Sequence, residues 1–532
     1  MITFDGEPVP VEPGQTIGAA LYAAGRRGWR TTRVNGRPRG LFCGMGVCFD
    51  CLVTVNGQPD VRACLRVAEP GDVVTSAPDY DAPDYDTPQI PAAATHRTAE
   101  CDVAVVGGGP AGQQAALAAA GAGCRVALVY TAPRPGYPVP ADLGQLVEVL
   151  PGATVWAAQA AAERTRLYLT GAGVSIVEAR AVVVATGGYD LPLPFPGWDL
   201  PGVLTAGGIQ ALLKRGGVSP GRRVALSGTG PFLLPVAAAV AEAGVDVVGV
   251  FEAGRPVRWL GQLPAIAGQP ARLVEAARYL RVLRRHRIPF HSGHAVVAAH
   301  GQDRVAAATV ARLRPDWTVV PGSQRRIEVD ALGIGYGFVP VLDLALALGA
   351  TGTPEGIRVD AWQRTTAPRV YAAGETTGIG GAPLAAAEGR LAGLAAAVDL
   401  GRLDEAAARV RGRAARRQRA RSRRFAAALG RVYGRGLGLA WSTPDTPICR
   451  CEEVPRARIE WLVTALGATE LRAVKLLSRA GMGMCQGRIC GPAVTALLRA
   501  HLGEQVPDPL SYATRPLAVP VPLADLGRVE PA

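Results

Sequence analysis

The pattern of hydrophobic and polar positions differs between two parts of this chain. In the first 76 residues, short alternating segments such as ITFDGEPV, CLVTVNG and DVVTSA are separated by glycine and proline. A period of two is typical of short β-strands joined by turns. Further on, continuous apolar runs such as CDVAVV and AVVVATGG end in glycines, which is typical of strands buried on both faces. The pattern predicts a small β-rich domain followed by a larger α/β region.

Units of strand, glycine-rich turn and helix recur in the larger region. Residues 101–130 give a strand, a Gly-rich turn, a helix and a second strand, and residues 222–253 repeat this order. The later segment RVYAAGETTGIGGAPLAAAEGRLAGLAAA adds another strand, turn and helix. Alternating strands and helices with glycines at the strand ends predict parallel, doubly wound sheets.

Length and composition predict a multidomain globular protein. The 532 residues are too many for one core, and 48% are hydrophobic against 19% charged, so we expect two to four domains. No run of 18 apolar residues occurs, and the start of the sequence lacks a basic segment followed by an apolar one. We therefore expect neither a membrane span nor a secretory signal. Reduced cysteines suit the cytoplasm, with the protein either free there or peripheral at the inner face of the membrane.

The net charge of +13 is concentrated in one segment. Residues 402–435 hold twelve arginines, which could attract nucleic acid or anionic lipid. No aromatic stacking platform accompanies them, as a single-strand binder would need. We interpret the segment as a solvated helix that connects two domains, and we expect no nucleic-acid partner.

Four cysteines near the N-terminus follow the pattern C-x4-C-x2-C-x12-C. They are Cys43, Cys48, Cys51 and Cys64. The first three have the spacing of plant-type ferredoxins, whose [2Fe–2S] cluster takes two thiolates per iron. Gly44 and Gly46 lack Cβ atoms, so backbone N–H groups can approach a cluster there. Zinc is the alternative, but zinc loops favour paired short C-x2–4-C spacings and only one is present. We predict a [2Fe–2S] cluster.

Four further cysteines near the C-terminus follow the pattern C-x-C-x33-C-x4-C. They are Cys449, Cys451, Cys485 and Cys490. We expect them in short turns at helix ends, where backbone N–H groups stabilise thiolates. Spacing alone leaves both a [2Fe–2S] cluster and zinc open. The remaining Cys101 and Cys124 are expected to be buried apolar side chains.

The first dinucleotide motif is Gly107-x-Gly109-x-x-Gly112, directly after the run CDVAVV. Its glycines allow a tight turn and let a pyrophosphate approach the helix N-terminus. The acidic residue that usually holds the ribose hydroxyls is missing, because Tyr130 and Thr131 end the second strand. No C-x-x-C lies beside the motif, so disulfide reductase chemistry is not expected.

The second motif, Gly228-x-Gly230-x-x-Leu233, lacks the third glycine but keeps Glu252 near the end of its second strand. Two interpretations stay open: a nicotinamide-cofactor site, or a nucleotide-type unit kept for packing.

These motifs together resemble the α-type subunits of heteromeric amine and amino-acid dehydrogenases. That family includes the opine oxidase A subunit, the hydrogen cyanide synthase A and B subunits, dye-linked proline and hydroxyproline dehydrogenase subunits, and the sarcosine oxidase α subunit. GLFCGMGVCFDCLVTVNGQPDVRAC resembles their small [2Fe–2S] subunit, here fused. The central match lies in ATGGYDLPLPFPGWDLPGVLTAGGIQ, LGIGYGFVP and YAAGETTGIGGAPLAAAEGRLAG. ICRCEEV and RAGMGMCQGRICGPAV are similar to the [2Fe–2S] domain of bacterioferritin-associated ferredoxin.

The resemblance implies a division of labour between subunits. A D-amino-acid-oxidase-like flavoprotein β subunit would oxidise the substrate C–N bond, so the catalytic residues would belong to that partner. This chain would pass the electrons to a quinone, an electron-transfer protein or a dye. It implies two [2Fe–2S] clusters held by the eight cysteines and FAD or another adenine nucleotide, and in some relatives FMN at a subunit interface. The nucleotide contacts carry over to Gly107, Gly109, Pro110, Ala111, Gly112, Thr186, Gly187, Gly374 and Glu375.

Three features depart from the family pattern. The acidic ribose contact is missing, and the PRPGGQ-type segment reads Pro133-Arg134-Pro135-Gly136-Tyr137. The stretch between this segment and AVVVATGG is also shortened. Because these changes fall where a flavin ring would lie, an altered FAD pose and an adenine nucleotide without a flavin both stay open.

We therefore expect an α/β flavoprotein fold with two dinucleotide-binding domains, an N-terminal plant-type ferredoxin (β-grasp) domain and a small helical C-terminal [2Fe–2S] domain. The expected boundaries are a ferredoxin domain at 1–76, a linker at 77–98, the nucleotide-binding region at 99–400 with its second unit at about 220–330, an Arg-rich connector at 401–440, the C-terminal domain at 441–512 and a tail at 513–532. The expected function is an electron-transfer subunit of an amine, imino-acid, amino-acid or opine dehydrogenase. The alternatives are a self-sufficient NAD(P)H-dependent reductase and a scaffold with structural metals.

Overall fold

The chain divides into two compact units. The computed structural model describes residues 1–76, 97–132, 137–161, 163–171, 173–434, 439–503, 506, 510–521 and 526. The first unit comprises residues 1–83, 189–338 and 428–512, and the second comprises 84–188, 339–427 and 513–532.

The first unit begins with a five-stranded mixed sheet. Its strands, in spatial order, are Glu7–Val9, Ile2–Phe4, Val73–Ser76, Leu52–Val55 and Gln58–Arg62. The helix Ile17–Ala23 is capped by the Thr16 side chain, which accepts a hydrogen bond from the Ala19 N–H. Its Ile17 and Leu21 side chains are fully buried. The alternating N-terminal pattern thus folds as a small sheet with one helix, as expected.

The same unit contains an entirely parallel five-stranded sheet. Its strands, in spatial order, are Val203–Thr205, Ala331–Gly335, Arg223–Gly228, Asp246–Glu252 and Phe290–Ser292. Its helices are Ala206–Gly216, Leu233–Glu242, Leu263–Ala267 and Pro270–Arg285. An antiparallel sheet follows, formed by His294–His300, Ala307–Arg312 and Arg325–Glu328. The second dinucleotide motif therefore lies in a strand–turn–helix unit, as predicted.

A small, mainly helical region completes the first unit. Its short hairpin is Pro447–Cys449 with Val454–Pro455, and its helices are Arg456–Leu466, Leu471–Ser478 and Gly491–Leu502. Ile448, Leu462 and Val494 are fully buried in its core.

The second unit is built around a seven-stranded sheet. Its strands, in spatial order, are Glu148–Pro151, Val126–Tyr130, Thr98–Val106, Ile176–Val184, Thr165–Thr170 and Thr154–Ala160, and Val370–Ala372 also pairs with Ile176–Val184. Five of these strands run parallel, but Thr165–Thr170 and Thr154–Ala160 pair in antiparallel fashion. The prediction of a parallel sheet is wrong for these two strands. A hairpin needs only a tight turn, and no crossover helix separates them.

Two helices of the second unit pack closely because glycines line their contact. They are Pro110–Ala120 and Ala382–Asp399. A Cβ at Gly389 would lie 1.9 Å from the Ala111 carbonyl oxygen, and one at Gly393 would lie 2.2 Å from that of Ala115. Only glycine permits this approach of the two backbones, which places the turn before Ala382–Asp399 beside the first dinucleotide motif.

The remaining elements are short strands and the Arg-rich helices. The strands are Arg30–Thr31, Pro38–Arg39, Gly188–Asp190, Phe338–Pro340, Gly352–Thr353 and Gly356–Ile357, and the helices are Asp343–Ala347, Glu405–Arg411 and Arg413–Tyr433. The Arg-rich segment therefore forms two helices. In the part of the chain that the structure describes, no helix has the length and apolarity that crossing a membrane requires.

Parts of three sequence predictions lie outside the described residues. They are most of the expected linker, the Pro133–Gly136 part of the altered flavin segment and half of the expected tail. The domain boundaries stay predictions.

Candidate functional site

The four N-terminal cysteines are buried together in one loop region. Each thiol-bearing residue is at most 2% exposed. The Cys43 sulfur accepts hydrogen bonds from the N–H groups of Val47 and Cys48, both at 3.4 Å. The Cys51 sulfur accepts one from the Cys64 N–H at 3.4 Å. Backbone N–H groups aimed at sulfur stabilise thiolates, the form that binds metal.

Four buried thiolates in this quartet would require a bound positive charge to balance them. Burial opposes the ionisation of Cys43, but hydrogen bonds with Cys48 and Cys64 hold the pKa of its thiol well below the usual value. Burial and the hydrogen bond with Cys43 hold the pKa of Cys48 well above its usual value. A single thiolate is thus stabilised by hydrogen bonds from the protonated thiols of neighbouring cysteines. Four thiolates can coexist only around positive charge. The donor set fits an iron–sulfur cluster.

Two sulfurs of the C-terminal quartet lie close together. The Cys451 and Cys485 sulfurs are 3.7 Å apart. The hydrogen bond with Cys451, together with burial, holds the pKa of Cys485 well above its usual value. Cys490 is the N-cap residue of the helix Gly491–Leu502, as expected for a helix-end turn. Cys449 instead ends the strand Pro447–Cys449, so the prediction is wrong there. Across the described residues, no three cysteine, histidine or carboxylate side chains are placed as one metal ion would require.

Both quartets border the same hydrophobic core. Cys43 and Cys48 share that core with Cys485, and the side chains of Phe42 and Trp198 also belong to it. Part of each cysteine group therefore borders one core within the first unit.

The segment TAGGIQ has a structural role that sequence reasoning did not assign. It begins the helix Ala206–Gly216, against which the N-terminal cysteine loop packs. A Cβ at Gly208 would lie 2.5 Å from the Phe42 carbonyl oxygen, and one at Gly44 would lie 3.0 Å from the Gly208 Cα. The Arg215 side chain, on the same helix, donates to the Gly44 carbonyl oxygen at 2.9 Å. The glycine pair allows the loop to approach the helix.

The predicted nucleotide-contacting segments converge in the second unit. The residues concerned are Gly107, Gly109, Pro110, Ala111, Gly112, Thr186, Gly187, Gly374 and Glu375. The Gly187 N–H donates to the Thr376 hydroxyl at 3.1 Å. A Cβ at Gly374 would lie 2.9 Å from the Ala111 Cβ. Motifs far apart in sequence thus meet at the ends of neighbouring strands.

The first glycine loop has the shape of a phosphate cradle. A Cβ at Gly107 would lie 2.1 Å from the Ala185 carbonyl oxygen, and one at Gly112 only 1.7 Å from that of Gly107. Gly109 is the N-cap of the helix Pro110–Ala120, and a Cβ there would have no atom within 4 Å. The loop is therefore tightly packed at Gly107 and Gly112 and open at Gly109, which fits a pyrophosphate at the helix N-terminus.

An aromatic ring occupies the place of the missing acidic residue. A Cβ at Gly108 would lie 2.8 Å from the Tyr130 ring. Thr131, the next residue, uses its hydroxyl in contacts with Thr154 and the Ala153 carbonyl oxygen. The ribose of a bound nucleotide would therefore meet an aromatic side chain at this strand end.

An ion pair between a buried carboxylate and a half-buried arginine supports the turn Gly374–Thr377, and no sequence motif indicated it. Glu388 is fully buried, and its Oε2 accepts hydrogen bonds from the Gly374 N–H at 3.1 Å and the Thr377 hydroxyl at 3.0 Å. Its Oε1 lies 2.6 Å from Nη2 of Arg423, a residue of the Arg-rich helix. At least one arginine of that segment is therefore a structural partner, although the segment as a whole was interpreted as a solvated connector.

In the second motif, the Glu252 side chain is hydrogen-bonded to neighbouring backbone groups. This buried carboxylate accepts hydrogen bonds from the N–H groups of Gly230 at 2.9 Å and Gly254 at 2.6 Å. Burial raises the pKa of Glu252 to about 7, although the two backbone donors act in the opposite direction. A cavity of about 380 Å³ adjoins this strand end and includes Arg255, Trp317 and Tyr433 in its lining.

The two remaining cysteines are buried, as expected. Burial raises the pKa of Cys101 to about 12 and that of Cys124 to about 11. Because the thiolate is the reactive form, neither is suited to redox chemistry.

Three protein families match successive parts of the chain. Residues 1–79 match the 2Fe-2S iron-sulfur cluster binding domain, residues 101–389 match pyridine nucleotide-disulphide oxidoreductase, and residues 447–500 match the BFD-like [2Fe-2S] binding domain. The predictions of two [2Fe–2S] domains and an FAD-binding region are confirmed, and the C-terminal quartet belongs to a [2Fe–2S] domain.

Known proteins match most of the chain's length. Hydrogen cyanide synthase subunit HcnB of Pseudomonas protegens is 33% identical, with 75% of this chain and 92% of that protein covered. The opine oxidase A subunit of Rhizobium meliloti is 31% identical, with 80% of this chain and 87% of that protein covered. The crystal structure of L-proline dehydrogenase from P. horikoshii shares the fold, with a TM-score of 0.68, 20% identity, and coverage of 99% of this chain and 96% of that one.

The family matches and the relatives together indicate an oxidoreductase. The chain is an oxidoreductase with two [2Fe–2S] domains and a flavoprotein domain. It belongs to the family that contains hydrogen cyanide synthase subunit HcnB and the opine oxidase A subunit.

Proposed function

We propose that this protein is the electron-transfer α-type subunit of a heteromeric flavin-dependent dehydrogenase or oxidase. Its partner would oxidise the C–N bond of an amine, imino acid, amino acid or opine. The observation that carries the proposal is the pair of buried cysteine quartets bordering one hydrophobic core. Iron–sulfur clusters accept single electrons, so two adjacent clusters suit the stepwise removal of the two electrons that a reduced flavin holds.

We assign the chain's own residues to holding and tuning cofactors. One cluster would be bound by Cys43, Cys48, Cys51 and Cys64, and the other by Cys449, Cys451, Cys485 and Cys490. The loop from Gly107 to Gly112 would hold the pyrophosphate of FAD or another adenine nucleotide. Thr186, Gly187, Gly374 and Glu375 would hold the remainder of that molecule.

The substrate pocket would belong to a flavoprotein β subunit similar to D-amino-acid oxidase. The relatives support a partner because their names describe them as subunits of opine oxidase and hydrogen cyanide synthase. In this arrangement FMN is a further cofactor at the subunit interface. The acceptor would be a quinone, an electron-transfer protein or a dye, and the complex would work in the cytoplasm or at the inner face of the membrane.

Co-expression with flavoproteins encoded near this gene tests the proposal. We expect the two chains to purify together. An amine or amino acid from a substrate panel should then bleach the iron–sulfur absorbance of the complex under anaerobic conditions. The proposal fails if the chain purifies alone with both clusters and no neighbouring flavoprotein binds it. It also fails if substrate oxidation in the complex leaves the clusters oxidised.

The competing function is a self-sufficient NAD(P)H-dependent reductase that uses the second motif. Glu252 favours it by its position at the end of the second strand, where an acidic residue can bind ribose hydroxyls. The same carboxylate already accepts the Gly230 and Gly254 N–H groups, which opposes it. Anaerobic titration of the isolated chain with NADH decides, because prompt bleaching without a partner would favour the reductase.

A further inference from the structure

A buried ion pair joins the two cysteine loops. Asp50 lies between Cys48 and Cys51 in the N-terminal loop, and Arg450 lies between Cys449 and Cys451 in the C-terminal loop. The Arg450 side chain donates from Nε at 3.1 Å and from Nη2 at 2.8 Å, both to Asp50 Oδ2. The two side chains are only 5% and 2% exposed. Arg450 is therefore adjacent to two predicted cluster ligands, and Asp50 is adjacent to Cys51 and two positions from Cys48.

The surroundings hold this pair in one position. The Arg450 guanidinium lies 3.9 Å from the centroid of the Phe42 ring and 4.9 Å from that of Trp198. Its Nη1 donates to the Trp198 carbonyl oxygen at 2.6 Å, and Arg30 donates to the Asp50 carbonyl oxygen at 2.8 Å. A guanidinium stacked on two rings and bonded to fixed acceptors has little freedom to move.

A charge held in this place acts on both loops. The Asp50 N–H donates to the Cys48 sulfur at 3.4 Å, and Arg450 stands between Cys449 and Cys451 in the other loop. Because both side chains are buried, electrostatic interactions there are screened far less than at the surface. An electron added to either cluster adds one negative charge beside this pair.

We propose that the Asp50–Arg450 pair electrostatically couples the two [2Fe–2S] clusters, so that the reduction potential of each depends on the charge in the other domain's loop. Asp50 and Arg450 are positioning and tuning residues in this role. The inference rests on the proposed function in that both quartets must hold clusters. A clamp with a purely structural role would join the domains without setting potentials, and this is the alternative that an experiment must separate.

Redox titration of the full-length protein, followed by EPR, distinguishes electrostatic tuning from a purely structural role. Asp50→Asn removes a negative charge and should raise the potential of the C-terminal cluster, since the reduced form gains stability. Arg450→Gln removes a positive charge and should lower the potential of the N-terminal cluster. We expect each cross-domain effect to be about tenfold in the reduction equilibrium constant, or about 59 mV for one electron. The double variant should differ from wild type by less than either single variant.

Two further variants control for structural effects. Arg33→Gln removes a charge from another pair between the same domains, Arg33 with Glu452 at 3.2 Å, but the Arg33 side chain is 50% exposed. Solvent screening should leave both potentials close to wild type. Arg450→Lys keeps the charge and should retain the potentials even though it loses the two-pronged contact.

The proposal is wrong if each charge-removing variant moves only the potential of its own domain's cluster, or neither potential, while both EPR signals persist. If a variant loses a cluster, the wild-type protein still provides a test. Reduction of one cluster should lower the potential of the other, so that the EPR titration curves depart from ideal one-electron Nernst curves, and two ideal, independent curves would overturn the proposal. Absence of either cluster from the wild-type protein would instead refute the proposed function.

Discussion

Replacing Glu388 by glutamine should release the turn that carries two of the proposed nucleotide contacts. The carboxylate is fully buried, and it joins Arg423 to the Gly374 N–H and the Thr377 hydroxyl. Glutamine fills nearly the same volume, so the change leaves no cavity. It removes the charge that pairs with Arg423 and weakens both hydrogen bonds to the turn.

The expected loss of stability follows from the exposure of each partner. Removing one member of a fully buried ion pair costs roughly 3–5 kcal/mol. The Arg423 side chain is 36% exposed, so water can solvate it after the change, and we expect about 3 kcal/mol. Since 1 kcal/mol shifts the midpoint of a domain of 150–250 residues by about 2–4 °C, the second unit should unfold roughly 6–12 °C lower.

Two measurements on the Glu388→Gln variant check this reasoning. Differential scanning fluorimetry should show the lower transition, and extraction should show less bound nucleotide per chain. Both EPR signals should persist, because the cysteine quartets lie in the first unit. Glu405→Gln is the matched control, since its carboxylate pairs with Arg409 at 2.9 Å while 73% exposed. A Glu388→Gln protein with wild-type melting and full nucleotide content would refute the account of this turn.

Three further predictions concern the glycine loop, a cluster ligand and the second motif. Gly109→Ala should fold but bind less nucleotide, because its Cβ enters the open space above the loop. Gly112→Ala should not fold stably, because its Cβ would lie 1.7 Å from the Gly107 carbonyl oxygen. Equal nucleotide content and equal melting temperature in the two variants would contradict this prediction. Cys48→Ser should abolish one EPR signal and leave the other measurable, and loss of both would mean that the two sites do not form independently. The folded-state pKa of Glu252 is about 7, above its ordinary value of 4.5. The free energy of unfolding of the wild-type protein should therefore fall by on the order of 3 kcal/mol as the pH rises from about 4.5 to above 7. Glu252→Gln cannot titrate, so its melting temperature should lack this decrease, and parallel pH profiles of the two proteins would count against the assignment.

Local features of the fold were predictable from the sequence because they depend on neighbours in the chain. The strand of residues 98–106, the glycine turn and the helix Pro110–Ala120 follow from apolar runs and backbone freedom within a few residues. The N-terminal cysteine spacing predicted a cluster for the same reason, since three of its ligands lie within nine residues of one another. The C-terminal quartet was ambiguous by spacing and was decided by the family match.

The interactions that hold the sites together could not be predicted, because they join residues far apart in sequence. Asp50 and Arg450 are 400 positions apart, and nothing in either local sequence distinguishes them from solvated charges. Glu388 is one carboxylate in an alanine-rich helix, and its partner Arg423 is one of twelve arginines in its segment. The placement of Tyr130 over Gly108 likewise depends on how the strand ends meet. Burial of a charge is a property of the assembled fold, and a single sequence does not contain it.

The most direct test of the central claim is the iron and acid-labile sulfide content of the anaerobically purified protein, measured together with its EPR spectrum after reduction. Two [2Fe–2S] clusters predict four irons and four sulfides per chain, with two distinguishable signals. Colourless protein whose cysteines react freely with alkylating reagents, or protein that contains zinc in place of iron, would contradict the account.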